Sequence, residues 1–549
     1  METAGTSGAD RVRAWFDAVI LELLRQFRWS FLPPLMVYFA AGVSGLTAIV
    51  GAFFVKDYLG LSAAFLSGLA FWAGIPWALK MPLGHLVDLI WRWKGVLVYL
   101  GASLIAASLL IMYALVSDPG TMSGFMPVEA WYVLSALLAP TGYVIQDAVA
   151  DAMSVEAVPR VDPDGRPIPD AEAKALHTTM QTLGRIALIG GLVAVAGLNI
   201  VMFEGIETIS ERETALIYGR IYLFALAIPA ISVSGVLLAA VQIRWLKRTL
   251  RRRGLGPEEI EAIAERPAEP TRPNHWYFTG GLAFVLLTLA IGLSDVPFSQ
   301  EIVFVGSMAI VLALMRQLVA ALEPARARAL VGTAIIIFVF RATPLPGPGA
   351  TWFEIDVLGF DQQFLSVLSL ITSVLTLAGM VLLRPLMASR PITDIVVLLT
   401  LAAAVLALPN IGLYYGLHEW TARYSGGVVD ARFIAILDTA LESPLAQISM
   451  IPMLAWIAKN APAHLKATFF AVMASFTNLA LSASSLGTKY LNQLFVVERE
   501  VRDRASGAVT VPADYSQLGW LLVTVAALTV ALPLIAIAAV QTSPLRTRQ

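Results

Sequence analysis

Cysteine is absent from all 549 residues. That excludes disulfides, thiolate metal centres and iron–sulfur clusters, and it leaves the redox compartment unmarked. Histidine is scarce: His85, His177, His275, His418 and His464 all fall in loops or at the edges of apolar runs. Haem ligation and a buried histidine proton relay are therefore not expected. Charge is also scarce, at 14% of residues against about 25% in average soluble domains. No G-x-x-x-x-G-K-[ST] phosphate loop occurs, so ATP coupling within this chain has no support. There is no metal-ligand cluster, no G-x-S-x-G and no loop long enough to form a catalytic domain, which argues against an enzyme. No secretory leader is expected, because residues 1–29 are polar or amphipathic. The formal net charge of −1 says little about partners, and nothing points to nucleic acid.

What is present is apolar: 58% hydrophobic residues and a mean hydropathy of +0.74. This composition predicts an all-α integral membrane protein with many spans. Residues 10–28 show helical spacing of apolar positions between charges and predict an amphipathic helix on the membrane surface. Apolar runs of about twenty residues, enough to cross a ~30 Å hydrocarbon core, follow at 30–55, 61–79, 96–117, 128–154, 178–203 and 217–243. A charged linker occupies 244–275. Two more runs lie at 276–294 and 300–321. The last six lie at 328–347, 362–386, 391–416, 430–458, 463–494 and 516–540. The expectation is 14 spans, as two six-span halves (30–243 and 322–541) with a two-helix hairpin between them.

Basic residues orient the chain. The linker alone supplies Arg244, Lys247, Arg248, Arg251, Arg252, Arg253, Arg266 and Arg272. Both termini, including the tail at 542–549, are then expected to be cytoplasmic. The stretch Lys489 to Arg504, both basic and acidic, fits this scheme least well.

An internal repeat supports the two halves. Asp57-YLGLSAAFLSGL and Asp356-VLGFDQQFLSVL align without gaps and share Asp57/Asp356, Leu59/Leu358, Gly60/Gly359, Phe65/Phe364, Leu66/Leu365, Ser67/Ser366 and Leu69/Leu368. Each segment lies at a turn between spans.

The stretch PTGYVIQDAVADAMSVE, Pro140 to Glu156, carries acids inside a run apolar enough to cross a bilayer. Asp147 and Asp151 stand at i,i+4, about 40° apart on one helix face. Glu156 lies roughly 140° further round and points elsewhere. A charge near the bilayer centre costs several kcal/mol, so it persists only against a partner, a cavity or a pathway. The repeat places the equivalent of this span at 430–458, where Asp438 and Glu442 again stand at i,i+4, followed by Pro444. The acid pairs read as substrate- or proton-handling groups; the alternative is a lock between helices.

Cations complete the candidate site. Gln181 and Arg185 share a face, and Arg185 is expected to pair with Asp147 or Asp151, to bind an anion or to snorkel. Arg341 precedes the helix-ending segment ATPLPGPG and suits a carboxylate ligand or an ion pair with an acid such as Asp438. Asn478 is expected to make a polar contact or to pack in the core. Arg316, in the hairpin, is expected to snorkel to the surface. The turn after the second span, Gly84-HLV-Asp88-LIW-Arg92-W-Lys94, reads as a gate: Gly84 for close helix approach, and Asp88 to pair with a cation. Glu156 joins the same gate.

That turn matches the G-x-L-x-D-x-x-x-R-x-[RK] pattern of the major facilitator superfamily. With the acidic fourth span, FRATPLPGPGATWFEIDVLGFDQQFLSVLSL, KATFFAVMASFTNLALSASSLG and KDYLGLSAAFLSGLAFWAGIPWALKMPLGHLVDL, the chain resembles the folate–biopterin transporter family of that superfamily. The resemblance covers most of both halves. It implies a secondary transporter moving a folate- or pteridine-like anion with protons by alternating access, and no cofactor. Alternatives are an exporter of drugs or metabolites, and a non-transporting scaffold or pigment-delivery partner that reuses the fold.

Overall fold

A helix satisfies every backbone polar group within its own segment, so apolar runs of this length fold as helices in lipid. The computed structural model describes residues 25–59, 61–78, 80–159, 168–206, 209–264, 275–292, 294, 296–320, 322–383, 391–445, 466–502 and 509–546. Nearly all of the amphipathic segment at 10–28 lies outside these residues, as do parts of the linker and tail. The N-terminal set comprises α1 (Leu32–Val43), α2 (Ala48–Tyr58), α3 (Ala63–Ala78), α4 (Lys80–Leu89), α5 (Lys94–Ser117), α6 (Val128–Glu156), α7 (Asp170–Met202), α8 (Glu211–Ala225) and α9 (Ala227–Arg252). Then come α10 (Pro257–Ala264) and a hairpin of α11 (His275–Gly292) and α12 (Ser299–Val319). The C-terminal set comprises α13 (Pro324–Arg341), α14 (Pro348–Asp356), α15 (Gln362–Leu382), α16 (Ile392–Tyr414), α17 (Ala431–Glu442), α18 (Lys466–Leu494) and α19 (Leu518–Thr542). Between α18 and α19 a two-stranded antiparallel ribbon, β1 (Val501–Arg502) and β2 (Val509–Val511), marks one end of the bundle, the ribbon end. The basic linker marks the other, the linker end.

Among the described residues, 11 helical segments are long and apolar enough to cross a membrane. The expected spans at 328–347, 430–458 and 463–494 are not among them. The second span does not stop at residue 79: helix resumes at Lys80 and runs to Leu89, so the predicted turn at Gly84 lies within α4. The span expected at 430–458 is helical only to Glu442, where a 3-10 turn over Ser443–Leu445 takes over, and residues 446–465 lie outside the described set.

Two seams join the sets: α3 and α4 pack on α18, and α7 packs on α15. The hairpin lies over the first seam, α12 against α18 and α3, and α11 against α4. Its neighbours Gln300 and Glu301 divide between the sets. Gln300 Nε2 donates to the Gly68 carbonyl (3.1 Å), whereas Glu301 accepts from Lys489 Nζ (3.1 Å) and Tyr490 Oη (2.5 Å). Arg316 is exposed.

Within the N-terminal set, α5 and α6 touch backbone to backbone. A Cβ on Gly142 would stand 2.6 Å from the Gly101 carbonyl oxygen, and one on Gly101 would stand 2.6 Å from that of Gly142. Lipid gives no hydrophobic drive between helices, so such small-residue contacts supply the packing.

The repeated segments also match in local structure. Ser62 and Asp361 hold equivalent positions and each caps a helix, accepting from Phe65 N (3.1 Å) and Phe364 N (2.7 Å). The shared serines then behave alike: Ser67 donates to the Ala63 carbonyl (2.8 Å) and Ser366 to that of Gln362 (2.7 Å). A side-chain cap is worth about 1 kcal/mol.

Candidate functional site

The i,i+4 spacing on α6 sets Asp147 and Asp151 on one face, and that face meets Lys80. Its Nζ lies 2.6 Å from Asp147 Oδ2 and 2.7 Å from Asp151 Oδ2. Tyr38 of α1 donates its hydroxyl to Asp151 Oδ1 (2.8 Å). Gln181 Nε2 donates to Ser154 Oγ (3.1 Å), which in turn donates to the Asp151 carbonyl (2.7 Å). Arg185 acts on Asp147 through space, yet forms no ion pair among the described residues. The expected partner of the acid pair is therefore corrected from Arg185 to Lys80. Two acids face one bonded lysine and one nearby arginine, so the cluster is close to neutral. It is not sealed, since the Asp151 side chain keeps 46% of its exposure.

Glu156 does point elsewhere, as the helix geometry requires: it accepts from Lys94 Nζ at 2.8 Å. Lys94 also donates to the Trp91 carbonyl (3.1 Å) and sits 4.1 Å from that ring's centroid. Trp91, exposed Arg92, Trp93, Lys94, Glu156, Ile243 and Ala264 line a cavity of about 200 Å³. Two expectations for this turn fail. A Cβ on Gly84 would meet nothing within 4 Å, so this glycine mediates no close helix approach. Asp88, at the C-terminal end of α4, forms no ion pair among the described residues, and Lys94 pairs with Glu156.

The C-terminal set carries the opposite arrangement. Asp438 is 7% exposed; Oδ2 accepts from Asn410 Nδ2 (2.9 Å) and Oδ1 has no partner. Glu442 acts on Asp438 through space, and Asp438 in turn acts on Glu354 of α14. None of the three has a cationic partner among the described residues. Arg341 ends α13, and its buried Nε has no acceptor. The anticipated Arg341–Asp438 ion pair is not formed.

Beyond Arg341 the backbone leaves the helix, and α18 covers it. Ser484 Oγ donates to the Thr343 carbonyl (2.6 Å), Leu345 N to Thr488 Oγ1 (2.9 Å), and Asn492 Nδ2 to the Pro346 carbonyl (3.0 Å). Irregular backbone at this depth requires such cover. Asn478, also on α18, donates to the Trp77 carbonyl (3.2 Å), three residues before Lys80. It thereby ties the C-terminal set to the joint between α3 and α4.

The residues that sequence reasoning missed are Lys80, Tyr38, Asn410 and Glu354. Lys80 could have been found from the apolar stretch MPLGHLVDLI that follows it, which prolongs the span.

The family model for the BT1 family matches residues 41–545. The chain belongs to the BT1 family. A relative from Synechocystis sp., a folate-biopterin transporter, is 24% identical over 458 residues, 82% of this chain and 72% of the relative. The fold is that of solved transporters. A peptide transporter, POT, in complex with sulfate superposes with a TM-score of 0.58 at 15% identity, over 95% of this chain and 98% of that one. The nucleoside transporter NupG gives 0.51 at 12% identity, over 93% and 98%. This BT1 family chain is thus a multi-pass membrane protein with a major facilitator-type fold, in a transporter family and not an enzyme.

Proposed function

We propose that this chain is a proton-coupled secondary transporter that moves a small organic anion, folate- or pteridine-like, by alternating access. The two six-span halves, 30–243 and 322–541, rock about the seams, with the linker end and both termini in the cytoplasm of a bacterial inner membrane. The observation that carries this reading is Arg341. A guanidinium at a helix break inside the protein, with no anion beside it among the described residues, suits a carboxylate ligand. The name of the Synechocystis relative supports a folate or pterin as that ligand. Asp438, Glu442 and Glu354 suit the coupling proton, because these three acids meet no neutralising cation among the described residues. Asp147 and Asp151, already met by Lys80, suit a gating role tied to the same cycle.

The test is uptake into proteoliposomes under an imposed pH gradient, with folates and pterins as substrates. Gradient-driven uptake by the parent chain that is lost in Arg341→Gln is the expected result. No gradient-driven flux of any folate or pterin, with tight co-purification of another membrane complex, would favour the scaffold reading and end this one.

A further inference from the structure

At the ribbon end the repeated aspartates meet. Lys56, in the last turn of α2 and 7% exposed, pairs with its neighbour Asp57 (3.1 Å) and with Asp356 across the seam. The residue before Asp356 is Ile355, so a single lysine serves both repeat positions. From the C-terminal set, Arg499 reaches over the same seam. It is 4% exposed and donates Nε to the Lys56 carbonyl and Nη1 to the Leu61 carbonyl, each at 2.6 Å.

Every group that bonds across the seam also has a partner in its own set. Lys56 has Asp57. Asp356 accepts from Tyr515 Oη (2.5 Å). Arg499 lies 4.5 Å from the Trp352 ring centroid. A latch built from charges would normally strand a poorly solvated ion on opening. Here Lys56 and Asp356 each fall back on a resident partner, and Arg499 keeps its contact with the Trp352 ring.

We propose that Lys56, Asp356 and Arg499 form the outer latch of the transport cycle, with Asp57 as the partner that holds Lys56 when the latch is open. The inference rests on the alternating-access reading. It gives the two repeat-equivalent aspartates opposite roles: Asp356 favours the closed ribbon end and Asp57 the open one.

The absence of native cysteine makes the test direct. Spin labels on Ser123→Cys and Tyr424→Cys report the ribbon end by pulsed electron resonance in nanodiscs. Labels on Glu172→Cys and Asp394→Cys report the linker end. The background is Arg499→Ala, or Arg499→Gln if the alanine variant does not fold, so that populations can move either way. Asp356→Asn is expected to enrich the separated ribbon end by about five-fold or more, and Asp57→Asn to deplete it by a similar factor. Both variants moving the same way, or neither moving, overturns the latch. Opposite ribbon-end shifts without the reciprocal change at the linker end sustain the latch and overturn alternating access instead.

Discussion

Lys80 Nζ bridges Asp147 and Asp151, at 2.6 and 2.7 Å, from a helix 67 residues earlier in the chain. One cation between two acids makes the three residues unequal. Removing either acid leaves Lys80 paired, whereas removing Lys80 leaves two carboxylates facing each other. Breaking a buried pair from one side costs 3–5 kcal/mol. The partial exposure of this cluster brings the expected cost of Lys80→Met to about 2–3 kcal/mol, with Asp147→Asn and Asp151→Asn each near 1. Thermal unfolding of the purified variants checks the order. A lysine variant as stable as the aspartate variants would show that the bridge carries no stability.

Arg341 predicts the reverse pattern. Its guanidinium has no anionic partner to lose among the described residues, so Arg341→Gln is expected to match or exceed the parent in stability without ligand. The same variant is expected to lose the stabilisation that a bound folate gives the parent, about 2.7 kcal/mol at a hundred-fold excess over Kd. A thermal-shift titration measures both. Equal ligand shifts in parent and variant would remove Arg341 from the site.

Two glycines separate packing from gating. Gly142→Ala would place a methyl 2.6 Å from the Gly101 carbonyl oxygen, and overpacking of this kind costs about 1–3 kcal/mol. Gly84→Ala meets nothing within 4 Å and is expected to leave stability unchanged. Melting curves for the pair distinguish them, and a destabilised Gly84→Ala would contradict the open space around that position.

Asp438→Asn tests the proton. Asn410 donates to Oδ2, and an asparagine oxygen can accept that bond, so little stability should be lost. Gradient-driven uptake is expected to fall by ten-fold or more, on the order of the rate effects of removing a proton-transfer group, while exchange without a gradient persists. Exchange assays with internal and external substrate separate the two. Retained coupling would move the proton site to Glu354 or Glu442.

Helical periodicity put Asp147 and Asp151 on one face and turned Glu156 away from it, and both placements follow from backbone geometry alone. The repeat was legible because the caps Ser62 and Asp361 and the back-bonded Ser67 and Ser366 are local devices, each acting within four residues. The family pattern was legible for a similar reason, since short motifs survive as contiguous text. What lay beyond the sequence was partnership. Lys80 and Arg185 are both cations near the ends of apolar runs, and only the continuation of helix through Lys80 to Leu89 decides which one reaches the acids. The pairing of Lys94 with Glu156, rather than with Asp88, was likewise beyond the sequence.

The acid pair, its spacing and its improbability in a membrane were thus properties of the sequence by itself, because a helix converts spacing into direction without help from the rest of the chain. Which cation neutralises the pair, why Asp438 meets none among the described residues, and how Asp57 and Asp356 come to share Lys56 were decided by tertiary structure. Those contacts join residues scores to hundreds of positions apart, and the packing of helix on helix alone brings them within bonding distance.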